Sequence, residues 1–185
     1  SLNSEGSKVA LISLMIVISL IGAIITFLTR TREQARLIAL ITSVISLILS
    51  LMLFSRFDSS LSAIQSYEAY SWIPSIGVNL KFGVDGIGMP LVLLSNIIIP
   101  LTVIFAWGET KNANQFYGLI LLELVGVMGV FTSLDFFVFY IFWEIVLIPM
   151  YFLISIWGGP RKDYAAIKFF IYTHVASLVM LLAIF

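Results

Sequence analysis

The stretch DFFVFYIFWEIVLIPMYFLISIW, from Asp135 to Trp157, decides the fold of this chain. At ~1.5 Å per residue, a helix of this length crosses a hydrocarbon core of ~30 Å. Glu144 lies near its middle, where a carboxylate costs ~3 kcal/mol or more unless it has a partner, a water-filled cavity or a bound proton. Pro149 follows on the same segment, removes a backbone donor and disturbs the turn that holds Glu144. The pattern predicts a membrane helix built around a functional carboxylate.

The composition of the whole chain is that of a helical membrane protein. Of the 185 residues, 61% are hydrophobic and only 11% are charged, whereas soluble domains carry about 25% charged residues. The net charge of zero excludes a basic surface for nucleic acid. The lack of cysteine excludes iron–sulfur clusters and disulfides within these residues, and one histidine disfavours an all-histidine metal or haem site. We therefore expect no cofactor and no metal in this chain.

Five further apolar runs accompany the first, each near the length of a membrane helix. The six predicted helices cover residues 9–28, 37–54, 87–107, 116–133, 136–157 and 164–185. We predict an all-α membrane protein with six transmembrane helices. The first run is read as a membrane helix and not as a signal peptide, because no small-residue cleavage pattern follows it. Since the chain opens with Ser1 and stops inside an apolar run at Phe185, we expect a fragment of a longer protein.

One joint between the helices is long, and it covers residues 55–86. Apolar and polar residues alternate over residues 78–84, which predicts a short strand or β-hairpin on the outer face. Loops of this length are commonly functional or pack on a neighbour. A lid over the helix ends is the alternative interpretation.

Basic residues are divided unevenly between the two ends of the predicted helices. One side carries Arg30, Arg32, Arg36, Lys111, Arg161 and Lys162, and the other carries Lys8, Arg56 and Lys81. Lys168 is not counted, because it lies within the sixth helix. Positive charge favours the cytoplasmic or matrix side, so the N-terminus is predicted to lie outside.

The sixth predicted helix places polar side chains at the depth of Glu144. Counted from the joint at residues 158–163, Glu144 lies ~20 Å and His174 ~18 Å from the inner surface, because the two helices are antiparallel. Lys168 lies only ~9 Å from that joint and could snorkel towards it. A desolvated carboxylate, a cation and a histidine that titrates near neutrality together suit proton movement. The hydroxyls of Tyr172, Thr173 and Ser177 could hold waters between these groups.

Each candidate also has a purely structural interpretation. Glu144 could form a buried salt bridge, His174 could be a satisfied core residue, and Lys168 could be an interfacial anchor. Glu123 is a second carboxylate within an apolar run, and it either serves proton translocation or faces a neighbouring subunit. Two further residues receive structural predictions: Trp143 is expected to pack, and Asn96 is expected to hydrogen-bond between helices.

Two long segments resemble a known family. The run GVFTSLDFFVFYIFWEIVLIPMYFLISIWGG at residues 129–159 and the run DYAAIKFFIYTHVASLVMLLAIF at residues 163–185 resemble subunit M (chain 4) of respiratory complex I. Relatives of that subunit include membrane subunits of archaeal F420H2 dehydrogenase and large subunits of cation/proton antiporters. The segment FGVDGIGMPLVLLSN at residues 82–96 is similar to the start of the family's third helix.

The resemblance implies a fold, a function and a set of site residues. It implies the N-terminal part of a fourteen-helix antiporter-like fold, which moves protons while other subunits carry electrons from NADH or F420H2 to a quinone-like acceptor. Glu144 matches the family's glutamate on helix 5, whose lysine partner on helix 7 would lie beyond Phe185. Lys168 matches a lysine at the start of helix 6. His174 stands where the family usually has glutamine, so its relay role rests on the residue itself.

Partners and location follow from the same resemblance. We expect contacts with other membrane subunits through the helix faces and the outer loop, with the lipid bilayer, and with protons and water. The segment GGPRKDYAAIKFF favours the archaeal F420H2-type branch of the family. It therefore favours a prokaryotic cell membrane over the mitochondrial inner membrane. Two alternatives remain open: a cation/proton antiporter subunit of the same fold, and a scaffold whose buried charges only set helix pairing.

Overall fold

Six membrane-length helices and one β-hairpin make up the computed structural model, which describes residues 10–58, 60, 63–73, 75 and 78–184. The elements are α1 Leu11–Leu28, α2 Arg32–Arg56, β1 Gln65–Ile73, β2 Val78–Val84, α3 Gly88–Phe105, α4 Ala113–Thr132, α5 Phe136–Trp157 and α6 Lys162–Ile184. All six helices are long and apolar enough to cross a bilayer. The predicted class, a six-helix membrane protein with a short hairpin in its long loop, is confirmed.

Several helices begin earlier than their apolar runs predict. The predicted second helix starts at residue 37, whereas α2 starts at Arg32 because the Thr31 side chain accepts a hydrogen bond from Gln34 N and caps it. The predicted fourth helix starts at residue 116, whereas α4 includes a polar first turn. Apolar runs mark the part of a helix inside the bilayer, while polar caps set where it begins. Val9, Lys8 and Phe185, which belong to the predictions above, lie outside the described residues.

Helix α4 lies at the centre of the bundle and packs against α1, α2, α3 and α5, while α6 packs on α5. Glycines allow the closest approaches. A Cβ on Gly118 would meet the Phe27 ring on α1, and a Cβ on Gly126 would meet the backbone of α5 at Val146. Small residues at such contacts are typical of membrane helices, which associate through close backbone packing.

A polar contact joins α2, α3 and α4 inside the bundle. Ser46 on α2 donates a 2.5 Å hydrogen bond to Asn96 Oδ1 on α3 and also lies 3.7 Å from the sulfur of Met128 on α4. Asn96 is fully buried, and its amide donates to Val92 O within α3. The expected helix–helix hydrogen bond of Asn96 is therefore confirmed, and it satisfies an amide that would be costly to leave unpaired in an apolar core.

The hairpin is antiparallel and includes the strand expected at residues 78–84. Strand β2 pairs with the longer strand β1, with Tyr70 opposite Leu80 and Glu68 opposite Phe82. The register shifts between Gln65 and Glu68, where Ser66 has a positive φ of 56°. This bulge twists β1 over the bundle and aims the Glu68 side chain at a helix end.

The hairpin is attached to two helix ends. Glu68 accepts hydrogen bonds from Ile12 N at 3.0 Å and Ser13 N at 3.2 Å, and so caps α1, which has no side-chain cap from Ala10. On the other strand, Lys81 O accepts from Leu134 N at 2.8 Å, just before α5. The hairpin therefore holds the start of α1 against the start of α5.

Replacing Glu68 with alanine should destabilise the protein by about 1 kcal/mol, because two amides at the start of α1 lose their acceptor. The free energy of unfolding of the full-length chain in lipid bicelles measures this change. Tyr67→Phe is the matched control, since the Tyr67 side chain on the same strand is exposed. Equal stability of the Glu68→Ala variant and the wild type would show that the cap contributes nothing.

Candidate functional site

Helix α5 is held at both ends, which positions the side chains along it. At its start, Asp135 Oδ1 accepts from Phe137 N and Val138 N and forms the N-cap. At its end, Lys111 Nζ donates to Ile156 O at 3.1 Å, and Trp157 Nε1 donates to Lys111 O at 2.8 Å. A cation at the last turn also suits the negative end of the helix dipole.

Glu144 and His174 are neighbours across the α5–α6 contact. Glu144 Oε2 lies 3.5 Å from His174 Nε2, with 22% and 30% of the two side chains exposed. Glu144 is ~12 Å from the start of α5 and ~20 Å from its end. The depth count from the short α5–α6 joint predicted that the two residues lie at one level, and the structure confirms this placement.

The orientation of the His174 ring is set within α6. Its Nδ1 lies 3.0 Å from Phe170 O, one turn earlier on the same helix. The ring also stacks on the Phe170 ring, with centroids 4.1 Å apart and an angle of 27°. These two contacts turn Nε2 towards Glu144.

The two oxygens of the Glu144 carboxylate have different surroundings. Oε2 faces His174, whereas Oε1 is buried and has no hydrogen-bond partner among the described residues. Pro149 lacks the N–H that would bond to Ile145 O, so the backbone of α5 is also locally open one turn after Glu144. One side of the carboxylate is thus available for a second polar or charged group.

A hydrogen bond that the sequence did not predict joins α5 and α6 beside this pair. Trp143 Nε1 donates to Ser177 Oγ at 3.0 Å, and Ser177 Oγ donates to Thr173 O at 2.8 Å. Trp143 packs as expected, with its ring stacked on Phe139 at a centroid distance of 6.1 Å, and the hydrogen bond is an additional contact. A buried indole N–H needs an acceptor. Ser177 lies one turn from His174, and Trp143 is next to Glu144, so Trp143 and Ser177 are also at one depth. The same depth count could therefore have predicted this hydrogen bond.

Removing this hydrogen bond should weaken the α5–α6 contact. We expect Trp143→Phe and Ser177→Ala each to lower the free energy of unfolding by about 1 kcal/mol. A double-mutant cycle in bicelles should give a coupling of about 0.6 kcal/mol, the size typical of interhelical hydrogen bonds in membranes. Strictly additive losses would mean that the two side chains do not interact.

Lys168 and Tyr172 lie away from the Glu144–His174 pair, on an exposed face of α6. The side chains of both are exposed, and Lys168 Nζ lies 5.7 Å from the Tyr164 ring and 5.8 Å from the Tyr172 ring. Tyr172 therefore lies apart from Ser177, and the role of the hydroxyls of Tyr172, Thr173 and Ser177 in holding waters stays a prediction. Thr173 Oγ1 donates to Phe169 O at 2.6 Å, so only Ser177 of the three reaches across to α5.

Glu123 lies on α4 and is not brought to the Glu144–His174 pair. Its Oε2 is buried and has no hydrogen-bond partner in the described part of the chain. Helix α4 meets α5 through Gly126 and Gly129, which face Val146 and the Phe142 ring. Glu144 on α5 faces His174 on α6 instead.

Among residues 10–58, 60, 63–73, 75 and 78–184, no three of the side chains of His, Cys, Asp and Glu lie together as a metal site would require. The expectation of no metal and no redox cofactor in this chain stays a prediction.

The site-bearing helices match a described protein family. The family model "NADH:quinone oxidoreductase/Mrp antiporter, TM" matches residues 133–185, which include Glu144, Lys168 and His174. The matched segment is thus similar to the antiporter-like membrane subunits that this family model describes.

Two curated relatives are similar to most of the chain. The chain is 51% identical over 174 residues to F420H2 dehydrogenase subunit M of Methanosarcina mazei, covering 94% of this chain and 35% of that protein. It is 46% identical over 127 residues to an NAD(P)H-quinone oxidoreductase chain 4 of Nostoc sp., covering 69% of this chain and 24% of that one. The predicted resemblance to subunit M and chain 4 is confirmed, and the chain spans about a third or less of the length of these relatives.

A solved structure has the same fold. A chain of respiratory complex I from Thermus thermophilus superposes with a TM-score of 0.80 at 26% sequence identity, over 93% of this chain and 34% of that one. The six helices and the hairpin are therefore arranged as in a part of a respiratory membrane subunit.

Proposed function

We propose that this protein is a proton-translocating membrane subunit of an NADH- or F420H2-oxidising, quinone-type oxidoreductase complex. The single observation that carries the proposal is the Glu144–His174 contact at mid-membrane depth, 3.5 Å across the α5–α6 interface, within the segment that matches the family model. A carboxylate is retained in an apolar helix only at a cost. A histidine at the same depth gives the carboxylate a partner with which it can hold and release a proton.

Glu144 takes the central role in this proposal. Its Oε2 faces His174, and its buried Oε1, unpaired among the described residues, is available to a cation from another part of the protein. The family resemblance supplies such a group as a lysine on a later helix. A cation that approaches Oε1 stabilises the carboxylate and favours release of its proton, and withdrawal of the cation favours uptake. Movement of charge elsewhere in the complex is thereby converted into proton movement here.

Electron transfer is assigned to other subunits. These 185 residues contain no cysteine and one histidine, so they lack the usual ligands of iron–sulfur clusters and of a bis-histidine haem. The relatives in Methanosarcina mazei and Nostoc sp. are named for F420H2 and NAD(P)H oxidation, respectively. We favour the F420H2-type donor, because that relative has the higher identity over the longer stretch.

We place the N-terminus and the hairpin on the outer side of a prokaryotic cell membrane. Of the nine Lys and Arg residues other than Lys168, six lie at or beside the joints opposite to the hairpin. The hairpin and outward helix faces are then the contacts for neighbouring membrane subunits. Lys168, exposed on α6, and Glu123, whose buried Oε2 has no partner within the described ranges of the chain, are proposed as further charged groups of the proton path.

A cation/proton antiporter subunit of the same fold is the second candidate, because the matching family model also covers Mrp antiporters. Purification of the full-length protein in mild detergent separates the two. Co-purification with flavin- or iron–sulfur-containing subunits supports the oxidoreductase. Sodium-dependent proton exchange without such subunits would support the antiporter. In either case, Glu144→Gln tests whether proton movement needs this carboxylate.

A further inference from the structure

We propose that Glu144 and His174 hold one proton jointly, between Glu144 Oε2 and His174 Nε2, and that His174 is the resident proton acceptor of the carboxylate. This inference rests on the proposed function, because it specifies how the proton of that site is held. It goes beyond it by giving His174 a defined tautomer and a defined partner atom.

The tautomer follows from the contact between His174 and its own helix. Phe170 O carries only lone pairs, so the ring nitrogen 3.0 Å from it, Nδ1, must be the one that carries a hydrogen. In a neutral imidazole the other nitrogen, Nε2, is then a bare acceptor.

A bare Nε2 and an ionised carboxylate do not suit each other. Glu144 Oε2 lies 3.5 Å from Nε2, and two lone pairs would face each other at this distance. One proton placed between them removes the conflict in either of two forms. It is bonded to Oε2 as a carboxylic acid that donates to Nε2, or it is bonded to Nε2 as an imidazolium that attracts the carboxylate.

The two forms differ only in the position of that proton. When it moves from acid to imidazole, the O–H bond at Oε2 breaks, an N–H bond forms at Nε2, and the pair stays neutral. A second proton would make the pair cationic, and loss of the first would make it anionic. Both changes are costly in an apolar helix contact, so the pair keeps one proton until another charge approaches Oε1.

The charges around His174 are few. Helix α6 packs against α5, on which Glu144 is the only Asp, Glu, Lys or Arg, and Tyr140 and Tyr151 are the other titratable side chains. Tyr151 packs edge-on against the Phe170 ring. On α6 itself, the Lys168 ammonium lies over Tyr164 and Tyr172 on the outer side of the helix. Among these groups Glu144 alone is placed to exchange a proton with Nε2.

The first test replaces His174 with glutamine in the full-length protein within its native complex. A glutamine amide can reach Glu144 but cannot take up a proton, so Glu144 loses the cation that assists its proton release. Proton transport in inverted vesicles should show its pH optimum shifted upwards by about one unit or more. Thr173→Val is the matched control, because the Thr173 hydroxyl bonds within α6 to Phe169 O, and its pH optimum should not move.

A second readout does not depend on transport. The ¹⁵N magnetic resonance of labelled histidine, assigned by its loss in a His174 variant, should show a protonated Nδ1 at every pH. In the wild type the Nε2 signal should be that of a nitrogen that shares a proton and should stay constant between about pH 6 and 8, whereas in Glu144→Gln it should be that of an unprotonated nitrogen over the same range. His174→Asn provides the assignment if the glutamine variant does not assemble.

The outcomes separate this inference from the proposed function. If Glu144→Gln stops transport while His174→Gln leaves the pH optimum unchanged, the shared proton is wrong and the function stands. If Glu144→Gln leaves transport intact, the proposed function itself fails. A bare Nδ1 in the wild-type spectrum overturns the shared proton whatever the transport assays show.

Discussion

Gly126→Ala should destabilise the protein by about 1–3 kcal/mol, and a larger side chain at this position should prevent stable folding. A Cβ built on Gly126 lies 2.8 Å from Val146 N and 3.0 Å from Ile145 C, both backbone atoms of α5. Backbone cannot give way as a flexible side chain can, so α4 and α5 would have to separate. Because Glu144 adjoins Ile145, the separation would also move the carboxylate away from His174.

Thermal unfolding of the full-length protein in detergent measures this effect, and Gly159→Ala is the matched control. A Cβ on Gly159 would have no neighbour within 4 Å, so that variant should unfold within about 0.5 kcal/mol of the wild type. Equal stability of the two variants would contradict the close approach of α4 and α5 at Gly126.

Glu144→Gln should lower proton transport at least about tenfold, because a positioned proton donor and acceptor is lost. Glutamine has nearly the same shape and can still hydrogen-bond to His174 Nε2, so helix packing should be retained. Native gel electrophoresis should therefore show a normally assembled complex. If the buried charge only sets helix pairing, assembly should instead fall in parallel with transport.

Glu33→Gln is the matched control for this change. Glu33 lies in the first turn of α2, with 69% of its side chain exposed, and pairs with Arg36 at 2.6 Å. Arg36 is largely buried and keeps its hydrogen bond to Trp107 O, and Glu33 lies on α2, away from the α5–α6 contact, so this variant should transport protons at the wild-type rate. A comparable loss in both variants would show that the assay reports on general damage.

The sequence predicts most of the membrane-embedded fold, because the bilayer imposes a length and an apolar composition on each helix. The same regularity predicts that Glu144 and His174 lie at one level. Two antiparallel helices joined by a short connection keep their residues in register, so counting ~1.5 Å per residue from the joint compares depths directly. Polar caps such as Thr31 shift the helix ends, since they lie beyond the apolar run.

Contacts between distant parts of the chain could not be predicted in this way. Glu68 caps α1 across 56 residues of sequence, and no periodic pattern connects the two positions. Which face of α6 meets α5 could not be predicted either, because apolar residues around the whole helix conceal that face. The surroundings of Glu123 could not be predicted for the same reason, because an apolar run indicates the depth of a residue but not the direction of its side chain.

The most direct test of the central claim is the number of protons moved per donor molecule oxidised, measured in inverted membrane vesicles that contain the whole complex. Glu144→Gln should lower this ratio while donor oxidation continues in the presence of an uncoupler, and the ratio in Glu33→Gln vesicles should not change. An unaltered ratio in fully assembled Glu144→Gln vesicles would contradict the assignment of Glu144 as a proton-carrying group of a redox-driven pump.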